Sequence, residues 1–195
     1  MRQLLLASRN PGKTREFSQV LGGEFAVRDL SGESEIPVVE ETGSTFAQNA
    51  ILKAVETSRQ FPELVVGDDS GLEVDALKGA PGTYSARYAG ENATDYENVE
   101  KLLAELAKQP KHDPHSARFR CVLALARDGN ILGTFEGVVE GTIVAPPRGD
   151  AGFGYDPVFQ PAGLTQTFAE LPAAHKNEIS HRGKAICALR ASLLA

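Results

Sequence analysis

The amino-acid sequence predicts an α/β fold built on a mixed sheet, and three observations carry that prediction. Arg2–Ala7 is a short, mostly apolar run suited to a buried strand, and a polar turn and a helix-like stretch follow it. Ala117–Arg127 and Ile131–Val144 flank Asp128-Gly129-Asn130, a strong hairpin signal. Strands and helices otherwise alternate irregularly, which argues against a strict βαβ repeat.

The elements follow in chain order. A helix is expected from about Lys13 to Leu21, stopped by Gly22-Gly23, and Glu24–Leu30 reads as a second strand. Between Thr45 and Arg59, Phe46, Ala50, Ile51, Ala54 and Val55 recur at helical spacing. Leu64-Val65-Val66-Gly67 reads as a short buried strand delivering Asp68 and Asp69 at its end, and Leu72–Ala76 alternates like a separate, half-exposed strand. Thr94 and Glu97 form a capping box, with Val99, Leu102, Leu103 and Leu106 continuing that helix. A last helix is expected from about Ser180 to Leu194, with Ala185, Ile186, Leu189 and Leu193 as its stripe.

With 195 residues, 42% hydrophobic and 24% charged, residues 1–195 read as a single domain with ample core, in one body or in two lobes around one sheet. A net charge of −6 argues against binding a nucleic-acid polymer, whose backbone needs a basic footprint, yet leaves room for a nucleotide held by local cations. The longest uninterrupted apolar run, Cys121–Ala126, is far too short for a membrane span, and the start lacks the pattern of a signal peptide. A cytoplasmic protein is therefore expected, with Cys121 and Cys187 as buried, reduced thiols. On that basis Asn92-Ala93-Thr94 and Arg148-Gly149-Asp150 match a glycosylation sequon and an adhesion tripeptide only by chance.

The chemistry concentrates in a few segments. Ala7 through Thr14 is one residue from a Walker A loop, but the missing first glycine and the donorless Pro11 weaken that reading. What remains in Ser8-Arg9-Asn10-Pro11-Gly12-Lys13 is a polar turn, a lysine and a helix N-terminus, which attract phosphate or simply cap a helix. Glu40 and Glu41 precede a helix whose apolar stripe also carries Lys53, where an unpaired ammonium would be costly unless it snorkels or meets an anion. Asp68-Asp69-Ser70-Gly71 is either an Asp turn or a set of hard oxygen ligands suited to Mg²⁺, with Glu41 adding another oxygen. In Gly152-Phe153-Gly154-Tyr155-Asp156-Pro157 a ring on a glycine loop can stack a base or anchor the loop. Lys176, His181 and Arg182 put cationic donors near the start of the last helix, against its dipole. Thr83–Tyr88 offers a further basic contact at Arg87, and His112-Asp113-Pro114-His115 reads as a solvated loop rather than a metal pair.

Taken together and in order, these motifs resemble the inosine/xanthosine triphosphate pyrophosphatase family. The resemblance rests on Ser8–Lys13, Glu40–Gly43 through Asn49-Ala50 and Lys53-Ala54, and Asp68–Leu72. It continues in Gly79–Gly82, Tyr84–Tyr88, Gly152–Pro157 and Ile179–Ala185. One departure is Ser8, where the family often has Thr; the hydroxyl is kept. The resemblance implies an elongated mixed β-sheet with flanking helices, two lobes around a nucleotide cleft, and a homodimer. It implies Mg²⁺-dependent hydrolysis of dITP, ITP and XTP/dXTP to monophosphate and pyrophosphate, with the first turn binding substrate without being a P-loop.

On this footing Ser8, Asn10, Lys13 and Lys53 hold the triphosphate, and Arg9, Pro11, Gly12 and Ser70 also bind substrate. Glu41 and Asp69 position Mg²⁺, Asp69 doubles as general base, and Asp68 supports that shell. Phe153 stacks the purine beside Gly154, Tyr155 and Asp156. Lys176, His181 and Arg182 donate to the 6-oxo group, which adenine lacks. Three alternatives stay open: a P-loop kinase or NTPase, a non-catalytic nucleotide sensor, and a septum-site-inhibitor-like pyrophosphatase preferring pyrimidine or modified nucleotides.

Overall fold

The computed structural model describes residues 2–109 and 115–195; His112, Asp113 and Pro114 of the expected solvated loop lie outside the described residues. Its strands are β1 (Arg2–Leu6), β2 (Phe25–Asp29), β3 (Leu64–Val74), β4 (His115–Arg127), β5 (Asn130–Ile143) and β6 (Phe159–Pro161). Its helices are α1 (Pro11–Leu21), α2 (Phe46–Ser58), α3 (Asp95–Ala107), α4 (Ala173–Ile179) and α5 (His181–Leu194). The strands form one six-stranded sheet in the order β2-β1-β3-β4-β5-β6. β1 pairs in parallel with β2 and β3, whereas β5 pairs antiparallel with β6, so the sheet is mixed as expected. Asp128 and Gly129 link β4 to β5 with φ of 50° and 76°, the left-handed backbone a two-residue hairpin turn needs.

The chain divides into two compact units. One comprises Met1–Asp69, Cys121–Gly137 and His181–Ala195, the other Ser70–Arg120 and Val138–Ser180. In the first unit, strand periodicity sorts the core into two faces. Leu4, Leu6, Val66, Cys121, Leu123 and Leu125 pack with Phe17 and Leu21 of α1 and with Ala185, Ile186 and Leu189 of α5. Val122, Ala124 and Ala126 point the other way, against Phe46, Ala50 and Ala54 of α2. A Cβ at Gly67 would lie 2.1 Å from the Ala50 carbonyl oxygen, so only glycine lets α2 approach β3 this closely. In the second unit Leu72, Val74, Val99, Leu102 and Ile143 surround Phe119, Phe159 and Phe168, whose rings lie 4.7–6.0 Å apart.

Three expectations are corrected here. Asp68-Asp69-Ser70-Gly71 is neither a strand end nor a turn, because β3 runs unbroken from Leu64 to Val74 and absorbs the separate strand expected at Leu72–Ala76. Helix α1 begins at Pro11, two residues early, since proline suits a first helical position whose N–H has no partner to lose. Cys187 is exposed, because it sits one residue round α5 from Ile186; Cys121 is buried. The short elements α4 and β6 were not anticipated.

Candidate functional site

The polar turn after β1 is built around Asn10. Its Oδ1 accepts the N–H groups of Gly12 (2.8 Å) and Lys13 (3.3 Å), capping α1, while the Asn10 N–H donates to Ser8 Oγ at 3.1 Å. Arg9 turns away to strap the following loop, donating to the carbonyls of Leu30, Glu33 and Ile36. Lys13 leaves the cap, and its ammonium reaches Asp68 Oδ1 at 2.5 Å and the Asp68 carbonyl at 3.3 Å.

Since Asp68 and Asp69 lie inside a strand, the pleat sends them to opposite faces. Asp68 is 1% exposed and takes Lys13 on one oxygen, Arg182 Nε on the other at 2.7 Å, and the Cys121 thiol at 3.7 Å. Burial alone would raise its pKa, but Arg182 and Lys13 hold the carboxyl far below the usual carboxylate range. Arg182, itself 2% exposed, donates through Nη1 to the buried Glu16 at 2.7 Å. The guanidinium expected to meet a base is thus engaged by two carboxylates, Asp68 and Glu16.

Asp69 has the opposite character. Its Oδ1 accepts from Lys53 Nζ at 2.9 Å and its Oδ2 from Asn49 Nδ2 at 3.2 Å. Burial pushes the Asp69 carboxyl up; Lys53 pulls it down, Glu41 adds to the rise, and the net direction is upward. Lys53 also donates to Glu41 Oε1 at 2.7 Å. Burial disfavours its charge, yet the two carboxylates more than compensate and keep Lys53 an ammonium. Glu41, not the exposed Glu40, is the loop acid that reaches this cluster. Among the described residues no group of three or more His, Cys, Asp or Glu gathers as a metal-binding set.

The second unit carries its own polar cluster. Gly152 and Gly154 have φ of 79° and 61°, and a Cβ at Gly152 would lie 2.0 Å from Asp156 Oδ2. That same oxygen accepts the Phe153 N–H at 2.9 Å and the Lys176 ammonium at 2.6 Å. Lys176 Nζ lies 4.8 Å from the Phe153 ring centroid, within cation–π range. Tyr155 is buried, and its hydroxyl donates to the Ser85 carbonyl at 2.8 Å; burial pushes that phenol well above its ordinary value. Ser70 is half-buried on β3. His181 is buried at the first position of α5.

A mixed-sheet α/β protein is thus defined, with a buried acid–lysine centre on β3 and an aromatic–lysine loop. The sequence matches the model of the Ham1 family over residues 4–192. The chain belongs to that family. It is 48% identical over 194 residues to a Bacillus licheniformis protein named dITP/XTP pyrophosphatase, covering 99% of this chain and 98% of that one. It is 46% identical over 187 residues to a Bacillus subtilis protein of the same name, with 95% and 94% covered. Among solved structures, a HAM1 protein from Coxiella burnetii superposes with a TM-score of 0.88 at 43% identity, with 100% and 99% covered. The Staphylococcus aureus Ham1 protein follows at 0.84 and 43%, with 98% of each chain covered.

Three participants received no role in the sequence reading: Asn49, Glu16 and Asp95, which accepts the Gly154 N–H at 2.7 Å. A signal existed for the first. Asn49 lies three residues after Phe46 and four before Lys53, on the stripe that should be apolar. Glu16 lies on α1 and Asp95 in the first turn of α3, where acids in a sequence attract no notice.

Proposed function

We propose that this protein hydrolyses deaminated purine nucleoside triphosphates, namely dITP, ITP and XTP/dXTP, to the monophosphate and pyrophosphate, and so cleanses the nucleotide pool. The observation that carries this reading is the Glu41–Lys53–Asp69 cluster: a buried carboxylate with a raised pKa, held by a lysine and facing a second acid. The names of its full-length relatives support the substrate class.

The oxygen donors fit Mg²⁺. Glu41 and Asp69 are hard carboxylates converging on a single positive charge, here the Lys53 ammonium. Two protein carboxylates suffice for an ion that usually keeps several waters and binds substrate phosphates. Such an ion would offset the negative charge of the phosphates. The chain's residues do the rest. Lys13 and Lys53 draw charge off the triphosphate, with Ser8, Arg9, Asn10, Pro11, Gly12 and Ser70 shaping its surroundings. Asp69 takes a proton from water as the water oxygen bonds to the α-phosphorus and pyrophosphate departs. A carboxyl with a raised pKa is a stronger base for that step.

Phe153 stacks the purine, its other face being covered by Lys176, while Gly154, Tyr155 and Asp156 shape the loop. Lys176, His181 and Arg182 donate to the 6-oxo group, and Arg182 also holds Asp68. Residues 1–195 act as one functional domain, in a cytoplasmic homodimer that engages no nucleic-acid polymer and no membrane. No helix among the described residues is long and apolar enough to cross a membrane.

A nucleoside triphosphate panel with Mg²⁺, scored separately for pyrophosphate and orthophosphate, tests the reading. An unmatched buried polar group costs about 1–3 kcal/mol, so two donors facing the adenine amino group give roughly a hundredfold or more in favour of dITP over ATP. Equal efficiency on ATP, or orthophosphate as first product, overturns it.

A further inference from the structure

We infer that Asn49 is a positioning residue whose amide ties the backbone of the Glu41 loop to the carboxylate of Asp69, and so sets how the two acids face one another. Asn49 is 0% exposed, in the first turn of α2. Its Oδ1 accepts the Gly43 N–H at 2.8 Å, and its Nδ2 donates to Asp69 Oδ2 at 3.2 Å. A backbone N–H only donates and a carboxylate only accepts, so the two neighbours fix the amide's orientation without ambiguity. Glu41 lies two residues before Gly43, on the segment held by that bond.

The Asp69 carboxylate is thereby gripped at both oxygens from one helix, Oδ2 by Asn49 and Oδ1 by Lys53 one turn later. Gly43 completes the joint from the loop side. A Cβ there would lie 2.6 Å from Asn49 Oδ1 and 2.6 Å from Gln48 Cβ, so the loop comes this close only as glycine. Neither helix formation nor packing calls for asparagine at a buried helical position, since its propensity is modest and its amide costs free energy unless bonded. The two bonds it makes lead only to the acids' scaffold.

The inference rests on the proposed reading of Glu41 and Asp69, and the test separates the two. Asn49→Leu removes donor and acceptor at similar volume; Gly43→Ala pushes the loop off the same amide. For each, kcat and KM for dITP are measured across a Mg²⁺ series, Mn²⁺ binding without nucleotide is followed by electron paramagnetic resonance, and the melting temperature is recorded. Groups that orient metal ligands are worth about 10–100-fold, so kcat should fall by that factor, Mn²⁺ binding should weaken comparably, and KM should move less than about threefold. Because both changes break one link, the double variant should be no worse than the more damaged single variant. A lower melting temperature with unchanged kcat and metal dependence overturns the inference, as do losses that multiply in the double variant. If Asn49→Leu does not fold, Gly43→Ala decides on the same readouts. If the wild-type protein fails to hydrolyse dITP, the functional reading falls, and equal Mn²⁺ binding by wild type and variant would overturn this link separately.

Discussion

On one face of β3, Asp68 lies between Lys13 and Arg182 with a thiol beside it; on the other, Asp69 lies between Lys53 and Asn49 with a second acid nearby. Both carboxylates are buried, and each meets a lysine. The difference is the charge around them. Asp68 has two cations, so its charge is compensated and its proton held off. Asp69 shares its one bonded cation with Glu41, and burial together with the Glu41 charge raises its pKa against the pull of Lys53 and the more distant Lys13. Neighbouring residues of one type acquire opposite duties because a strand alternates its faces. An acid with surplus negative charge can attract a cation and accept a proton, whereas a fully compensated one can only hold its partners in place.

The sharpest way to break this contrast is Asp69→Asn. The amide keeps size and shape but cannot take a proton at neutral pH, and general-base catalysis contributes about 10²–10⁴-fold. We expect kcat for dITP to fall by at least about a hundredfold, with the protein folded, since Lys53 keeps Glu41 as its partner. Asp68→Asn should cost less in turnover. If Asp68→Asn were dead and Asp69→Asn active, the two roles would be exchanged; if both stayed active, β3 would not be the catalytic centre.

Arg182→Met addresses the Asp68 face through stability. Removing one partner of a buried ion pair costs about 3–5 kcal/mol, and here both Asp68 and Glu16 lose a donor. At about 2–4 °C per kcal/mol for a chain of this size, the melting temperature should drop by roughly 6–20 °C. A melting temperature near wild type, with KM for dITP raised and selectivity against ATP lost, would make base recognition the main duty of Arg182.

The sequence exposed most of this fold, but not the partnerships that bring its buried acids and cations together. The strand Arg2–Leu6, the helix Phe46–Ser58 and the capped start of α3 are set by local periodicity and local caps, and were placed within a residue or two. Asp68-Asp69-Ser70-Gly71 was misjudged because its composition favours turns, and only distant residues let it continue as a strand. Lys13 lies 55 residues from Asp68 and Arg182 lies 114 away, so nothing in the local pattern shows that an aspartate there can be buried. Arg182 was read from its helix position, which suggested a cation answering to a ligand; Glu16, 166 residues away, was invisible to that argument. The three-residue strand β6 is too short to display any period.

The smallest expected effect tests whether the Asp68 face is a support down to its weakest contact. Cys121 is fully buried on β4, and burial, with the nearby Asp68 charge adding, pushes its thiol well above the ordinary value. The thiol is therefore a neutral, weak donor to Asp68 Oδ2 at 3.7 Å, not a nucleophile. Cys121→Ala removes that donor and one sulfur's volume, while Lys13 and Arg182 still satisfy the carboxylate. Hydrogen bonds to charged groups contribute about 1.5–3 kcal/mol and a thiol is a weak donor, so the loss should lie at the low end and the melting temperature should fall by only a few degrees. Turnover of dITP should stay within about twofold of wild type, because no group on the Asp69 face has moved. A tenfold loss of kcat in a variant that melts normally would mean that Asp68 reports on the reacting atoms through its orientation, and the division of labour across β3 would have to be abandoned.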